Sequence, residues 1–102
     1  MPKDKGPDYK IIRELIEESA ARYAMTAEGV ARVNDVKSDM DQDLKTAELK
    51  IYLDVIFGCS IPSVSWDVQN AVKEGVKTAS GYEAEKIDIY IQGVAPEKEI
   101  RE

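Results

Sequence analysis

Residues 45–94 restrict the fold more than any other part of the sequence, because their hydrophobic period changes twice. The first part has an apolar residue at every second position, which is typical of a strand with one buried face. These positions are Leu49, Ile51, Leu53, Val55 and Phe57. Apolar residues then recur with the helical period over residues 61–80, and Ile87, Ile89 and Ile91 alternate again within residues 86–94. The stretch therefore predicts a strand, a helix and a second strand.

The helix between these two strands has recognisable ends. Gly58 ends the strand, Ser60 is placed to cap the helix, and Pro62 fits the first turn, where no N–H bond is lost. Gly81 is placed to end the helix with a left-handed residue. The expected buried stripe is Val64, Val68, Ala71, Val72, Gly75, Val76 and Ala79. The glycine within this stripe predicts a close approach to the sheet or to another helix.

The N-terminal third predicts one more helix and one weaker strand. Asp8 is placed to cap a helix over residues 9–24, and residues 30–33 suggest a strand. The expected buried side of the helix is Ile11, Ile12, Leu15, Ile16, Ser19 and Tyr23. Residues 34–46 are polar and acidic, so we expect them to form a surface connection between two antiparallel strands.

These elements predict a single small α+β domain with the order helix, strand, strand, helix, strand. The helical crossover makes the second and third strands parallel within a three-stranded mixed sheet, and we expect the first strand to lie between them. Both helices would then cover one face. The opposite face would present Lys50, Tyr52, Asp54, Asp88, Tyr90 and Gln92. The expected boundaries are a disordered tail at residues 1–8, the folded domain at 9–94 and a flexible tail at 95–102.

The charge balance disfavours some classes of partner. The chain of 102 residues has 20 acidic and 14 basic side chains and no histidine, which gives a net charge of -6. This charge disfavours nonspecific attraction to nucleic acid or to an anionic membrane. Residues 1–8 are polar and do not resemble a signal peptide, and no apolar run approaches the roughly 18 residues of a membrane span. We therefore expect a cytoplasmic protein.

No pattern in the sequence predicts a catalytic, cofactor or metal site. Asp39, Asp41 and Asp43 imitate the start of a calcium loop, but Leu44 stands where a turn glycine is needed and Lys50 where a glutamate is needed. We expect a solvated acidic loop there.

The single cysteine, Cys59, cannot form an internal disulfide, and it lies just before the N terminus of a predicted helix. No histidine is present to act as its base, so we expect a small buried residue and not a nucleophile. Without an acid, base or metal constellation, the sequence points to function through surfaces.

Two groups of outward residues are candidate partner contacts. Trp66 lies roughly 200° around the helix from Val64, on the same side as Lys73 and Lys77. This tryptophan could stack on an aromatic group of a partner or on a nucleobase, or it could fold back against the preceding loop or the C-terminal tail.

Tyr52 and Tyr90 form the second group. Tyrosine often occupies the wet face of a half-covered sheet, and this is the interpretation that we favour. An aromatic sheet face or an open sheet edge can also mediate self-association.

A series of short motifs follows the alternating strand in residues 49–94. In chain order they are Gly58, Ile61-Pro62, Val68-Gln69, Val72-Lys73-Glu74, Gly81 and Ile87-x-Ile89-x-Ile91-Gln92. Before them, an amphipathic helix leads to Glu28-Gly29-Val30. In order and spacing these motifs resemble the alkaline shock protein family, the envelope stress response proteins of Gram-positive and related bacteria. The resemblance covers roughly residues 9–94, and it departs from the family pattern in the shorter segment 34–46 and at Cys59.

The resemblance implies a small cytoplasmic module that is linked to cell-envelope homeostasis and is not an enzyme. It also implies self-association and, for some members, a membrane-anchored protein partner. The leading hypothesis is therefore a non-enzymatic scaffold or adaptor. The alternative is a KH-like RNA-binding module, whose element order is compatible, although its Gly-x-x-Gly loop is missing because Gly75 is followed by Val76-Lys77-Thr78. An enzyme is the third possibility, and no carboxylate pair is placed in a pocket by the sequence.

Overall fold

The computed structural model describes residues 7–96 as two helices and three strands. The elements are α1 (Pro7–Ala24), β1 (Val30–Asp41), β2 (Thr46–Ile56), α2 (Ile61–Ser80) and β3 (Glu83–Ala95). The predicted α+β class and element order are confirmed. Asp8 lies within the first turn of α1 and is not its cap. The expected tails fall mostly on residues 1–6 and 97–102, which lie outside the described residues.

The three strands form one mixed sheet in the order β1-β2-β3. β2 and β3 are parallel, as the helical crossover predicts, and β1 is antiparallel to β2. The expectation that β1 lies in the middle is wrong. A four-residue turn at 42–45 joins β1 and β2 as a hairpin, which is compatible with either order, and β3 pairs with the free edge of β2 and not with that of β1. The most regularly apolar strand, β2, is the central one.

The segment expected to be a polar connection is mostly strand. β1 continues to Asp41, and only residues 42–45 form a turn. Asp41 shapes this turn, because its carboxylate accepts the backbone N–H groups of Asp43 and Leu44 at 3.0 and 3.1 Å. Two register shifts early in β1 interrupt the alternation of its side chains. Those irregularities and the acidic residues on the outer face explain why the strand looks like a loop in the sequence.

The expected stripe of α2 is largely confirmed. Its fully packed members are Val64, Val68, Val72, Gly75 and Val76. Ala71 is half-buried and Ala79 is exposed, so the last turn of α2 extends beyond the packed part of the core. The predicted ends are also confirmed: the Ser60 hydroxyl accepts the N–H of Ser63, and Gly81 is left-handed with φ 82°.

The buried side of α1 is rotated from the expected one. Four of the six expected residues pack inward: Ile12, Ile16, Ser19 and Tyr23. Ile11 and Leu15 are exposed instead. Ala20 and Ala24 are fully buried, because small side chains let α1 approach the neighbouring helix and β1 closely. Gly75 is the counterpart on α2, since a Cβ there would overlap the Tyr23 ring.

Both helices cover one face of the sheet, as predicted. The inward residues of β2 are almost fully buried beneath them: Ala47, Leu49, Ile51, Leu53 and Val55. Ile87, Ile89 and Ile91 of β3 are half-buried and pack against the same core. Phe57 was expected to belong to this set, but it is 75% exposed. β2 ends at Ile56, so Phe57 already belongs to the turn with the left-handed Gly58, and its side chain points away from the core.

Candidate interaction surfaces

The outer face of α2 carries the first candidate surface. We call the residues Trp66, Asn70, Lys73 and Lys77 the tryptophan stripe, because steps of three and four residues place them in one line along the helix. Trp66 is 65% exposed, so among the described residues it does not fold back against the preceding loop. The stripe therefore offers one large aromatic surface above two lysines.

The two lysines of the stripe differ in their surroundings. Lys77 Nζ lies 3.0 Å from Glu83 Oε1, where β3 begins. The hydrogen bond and charge of Lys77 lower the pKa of the Glu83 carboxyl below its ordinary value, with a smaller contribution from the charge of Lys73. Lys73 is exposed and makes no ion pair among the described residues. It is the cation of the stripe that remains available to a partner.

The Lys77→Ala substitution is expected to raise the pKa of Glu83 toward its ordinary value, because the main source of the lowering is removed. A carboxyl with a lowered pKa stabilises the fold at neutral pH, and this contribution is lost as the pH falls through that pKa. An NMR titration of the Glu83 side-chain carboxyl measures the shift. Lys73→Ala is the matched control and should give a smaller rise; an equal or larger rise would contradict the assigned order of causes.

The open face of the sheet carries the second candidate surface. Tyr52 and Tyr90 are direct neighbours on β2 and β3, and their rings stack with centroids 4.9 Å apart and planes 14° apart. Lys37 of β1 places its ammonium 5.7 Å from the Tyr52 ring centroid. We call Tyr52 and Tyr90 the tyrosine pair. One ring face of Tyr52 meets Tyr90 and the other meets Lys37, whereas Tyr90 has its second face toward the outer edge of β3.

The five residues singled out in the sequence therefore form two surfaces and not one. Trp66, Lys73 and Lys77 lie on the side of α2 that points away from the sheet, and the tyrosine pair lies on the sheet face without helices. A single small ligand cannot touch both groups. Two separate contacts fit this arrangement better.

A polar network next to the tyrosine pair was missed at the level of the sequence. Asp54 accepts hydrogen bonds from Arg32 Nη1 at 3.0 Å and from Asn34 Nδ2 at 3.1 Å, and Asn34 Nδ2 also lies 3.0 Å from Gln92 Oε1. These bonds tie β1, β2 and β3 together on the open face. Gly93 makes room for the carboxylate, because a Cβ there would lie 2.9 Å from Asp54 Oδ1. The signal that could have revealed this network is the alternation of inward Val36, Ser38 and Met40 with charged residues, which indicates that β1 continues beyond residue 34 and pairs along β2.

The other polar residues between positions 7 and 96 line shallow or open surfaces. A shallow cavity of about 320 Å³ on the open face is lined by side chains of both charges, including Lys50, Lys86 and Asp88. Within residues 7–96 no cluster of three or more histidine, cysteine or carboxylate side chains could hold a metal ion. Cys59 is half-buried and packs against the core.

Phe57, which the hydrophobic alternation placed in the core, is exposed beside the end of β3. The backbone N–H of Phe57 donates to the carbonyl of Ala95 at 2.8 Å.

No helix within the described residues is both long and apolar enough to cross a membrane. Among solved structures, a histidine-to-alanine variant of MamM-CTD superimposes with a TM-score of 0.56 at 12% identity, over 78% of this chain and 95% of that one. A triple variant of MamM CTD gives a TM-score of 0.54 at 15% identity, over 86% and 98%. At such identities the similarity concerns the fold alone.

Comparison by sequence is more specific. No curated protein matches the chain. Residues 12–96 match the model of the alkaline shock protein 23 family, which is described by a cell envelope-related function. The match spans all five elements apart from the first residues of α1, and it confirms the resemblance carried by the motifs of residues 49–94. The chain therefore belongs to the alkaline shock protein 23 family, with its cell envelope-related function.

Proposed function

We propose that this protein is a non-enzymatic scaffold or adaptor of cell-envelope homeostasis, which acts through a protein partner and through self-association. Family membership supports the link to the envelope. The partner is proposed to be membrane-anchored, so that a cytoplasmic chain is held near the membrane. A scaffold binds through its surface, and aromatic and cationic side chains such as Trp66 and Lys73 are exposed on the surface of this domain.

The observation that carries this proposal is the exposure of Trp66 on the outer face of α2. Tryptophan is frequently among the few residues that dominate the binding energy of a protein interface. Lys73 lies two helical turns along the same line and is not paired with a carboxylate of the described residues. The complementary partner is a protein segment with an apolar or aromatic anchor for Trp66 and an acidic side chain for Lys73.

The RNA-binding alternative is less well supported. The net charge is -6, Lys77 is engaged by Glu83, and residues 75–78 lack the glycine pair of a KH loop. The rings of the tyrosine pair stack on each other, which leaves fewer free faces for nucleobases. A nucleic-acid partner remains an outcome that the following experiment can detect.

Trp66→Ala is expected to weaken capture of the partner on the order of 30-fold, the effect of losing a hot spot of about 2 kcal/mol. The chain is immobilised and incubated with detergent-solubilised envelope proteins of the cells that naturally contain it, with and without ribonuclease, and the amount of captured protein is measured. Lys73→Glu should also weaken capture, because it reverses the charge that faces the acidic side chain of the partner. Leu44→Ala is the matched control, because Leu44 is also a large exposed apolar residue, in the β1–β2 turn. Capture that survives Trp66→Ala, or disappears with ribonuclease, would contradict the proposal.

A further inference from the structure

The outer edge of β3 has a short stretch without edge protection. Within residues 7–96, β3 pairs with β2 and with no other strand, so its other edge is open in this part of the chain. Natural sheets protect such edges with charges, bulges or coverage. Each edge strand has two register shifts in its pairing with β2. Residues 86–91 of β3 lie between the two shifts and pair regularly, and residues 89–91 are the uncharged sequence Ile-Tyr-Ile. A shallow cavity of about 380 Å³ lies beside residues 87–90, between α2 and the strand.

The backbone groups on this edge can be identified from two hydrogen bonds. The carbonyl of Ile87 accepts Gln69 Nε2 of α2 at 2.9 Å, so the backbone groups of Ile87 face outward. The backbone N–H and C=O groups of successive residues in a strand point to opposite edges, so those of every second residue point to the same edge. The backbone groups of Ile89 and Ile91 therefore also face outward. A register shift follows, and beyond it the Ala95 carbonyl accepts the N–H of Phe57 and faces β2. The open edge therefore consists of the N–H and C=O groups of Ile89 and Ile91.

We propose that a second copy of this chain pairs with this edge, antiparallel to it and related by a twofold axis at Tyr90. In that register Ile89 pairs with Ile91 of the second copy and Ile91 pairs with Ile89, which satisfies all four outward groups of each chain. A register centred on Ile89 would require Ile87, whose carbonyl is occupied by Gln69. A register centred on Ile91 would require Gly93, which lies beyond the register shift.

The side chains favour the same occupant. On the twofold axis the free ring face of Tyr90 meets Tyr90 of the second copy, and the tyrosine pair becomes a row of four stacked rings across a six-stranded sheet. Asp88 then lies opposite Gln92 of the second copy and not opposite another carboxylate. Gln92 Oε1 is already bound to Asn34, so its amide NH₂ group is available to Asp88. This edge is the surface for the self-association in the proposed function, and the inference rests on that function.

Cysteine cross-linking tests the register. In a Cys59→Ser background, Tyr90→Cys should form a disulfide-linked dimer under a mild oxidant, because opposite residues of such a pair have Cα atoms about 4.5 Å apart. Asp88→Cys and Gln92→Cys should each remain unlinked alone and should cross-link when the two variants are mixed. Leu44→Cys gives the background rate of an exposed thiol. Tyr90→Cys cross-linking no faster than this background, or Asp88→Cys linking to itself, would overturn the register.

A second measurement uses the unsubstituted chain and does not depend on any variant folding. With rising protein concentration, light scattering should show an increasing fraction of dimer. Hydrogen exchange of the Ile89 and Ile91 amides should slow in step with that fraction. The amide of Ile51, in the central strand, should not change. Dimers without slowed exchange at Ile89 and Ile91 would overturn the edge and leave the proposed self-association intact. A strict monomer would overturn both, whereas partner capture through Trp66 is read independently.

Discussion

Gly75→Leu is expected to lower the free energy of unfolding by about 3 kcal/mol, the upper part of the usual range for overpacking a core. Gly75 lies where α2 meets α1, and even a Cβ there would overlap the Tyr23 ring. The better helix propensity of leucine offsets only about 1 kcal/mol of the penalty. For a domain of this size the melting temperature should fall by at least about 10 °C.

Thermal unfolding followed by circular dichroism measures this effect. Ala79→Leu is the matched control, because Ala79 lies on the same side of α2 but is exposed, and its melting temperature should stay close to that of the parent. Tyr23→Ala combined with Gly75→Leu should be less destabilised than the sum of the two single substitutions, since removal of the ring makes space. An unchanged melting temperature for Gly75→Leu would refute the close contact between the helices.

The parts of the fold that local rules control were predictable. The N-cap at Ser60, the left-handed Gly81 and the valine stripe of α2 follow from residue chemistry at adjacent positions, and the structure places each as expected. The parallel pairing of β2 and β3 follows from the crossover between them. The glycine in the stripe also predicted a close approach, although only the structure identifies Tyr23 as its neighbour.

Strand order was not predictable in the same way, because it depends on which strand of the β1–β2 hairpin is joined by β3, a distant segment. A hairpin with a turn of four residues is compatible with β3 on the free edge of either strand. In the structure β3 pairs with β2, and β1, whose early part has two register shifts, takes an edge of the sheet. The exposure of Ile11 has a similar cause, since the side of α1 that packs is chosen by its contacts with both α2 and β1.

The candidate surfaces were partly predictable. Helical angles placed Trp66 on the outer face of α2, and strand alternation placed Tyr52 and Tyr90 together on the open face. The network around Asp54 was missed, because two of its members, Arg32 and Asn34, belong to the part of β1 where register shifts interrupt the alternation. Composition identifies a polar segment there, but only the pairing of the strands shows that its side chains meet.

Met40→Ala distinguishes the strand from the loop that composition suggests, and it is expected to lower the free energy of unfolding by about 2 kcal/mol. Met40 is 7% exposed and belongs to the core, whereas Leu44, four residues later and more hydrophobic, is 71% exposed. Leu44→Ala is therefore expected to leave stability unchanged within about 0.5 kcal/mol. Chemical denaturation of the two variants measures the difference. In a flexible acidic loop both substitutions would be nearly neutral, and hydropathy alone would rank them in the opposite order. Equal stabilities would mean that β1 does not extend to Asp41 in solution.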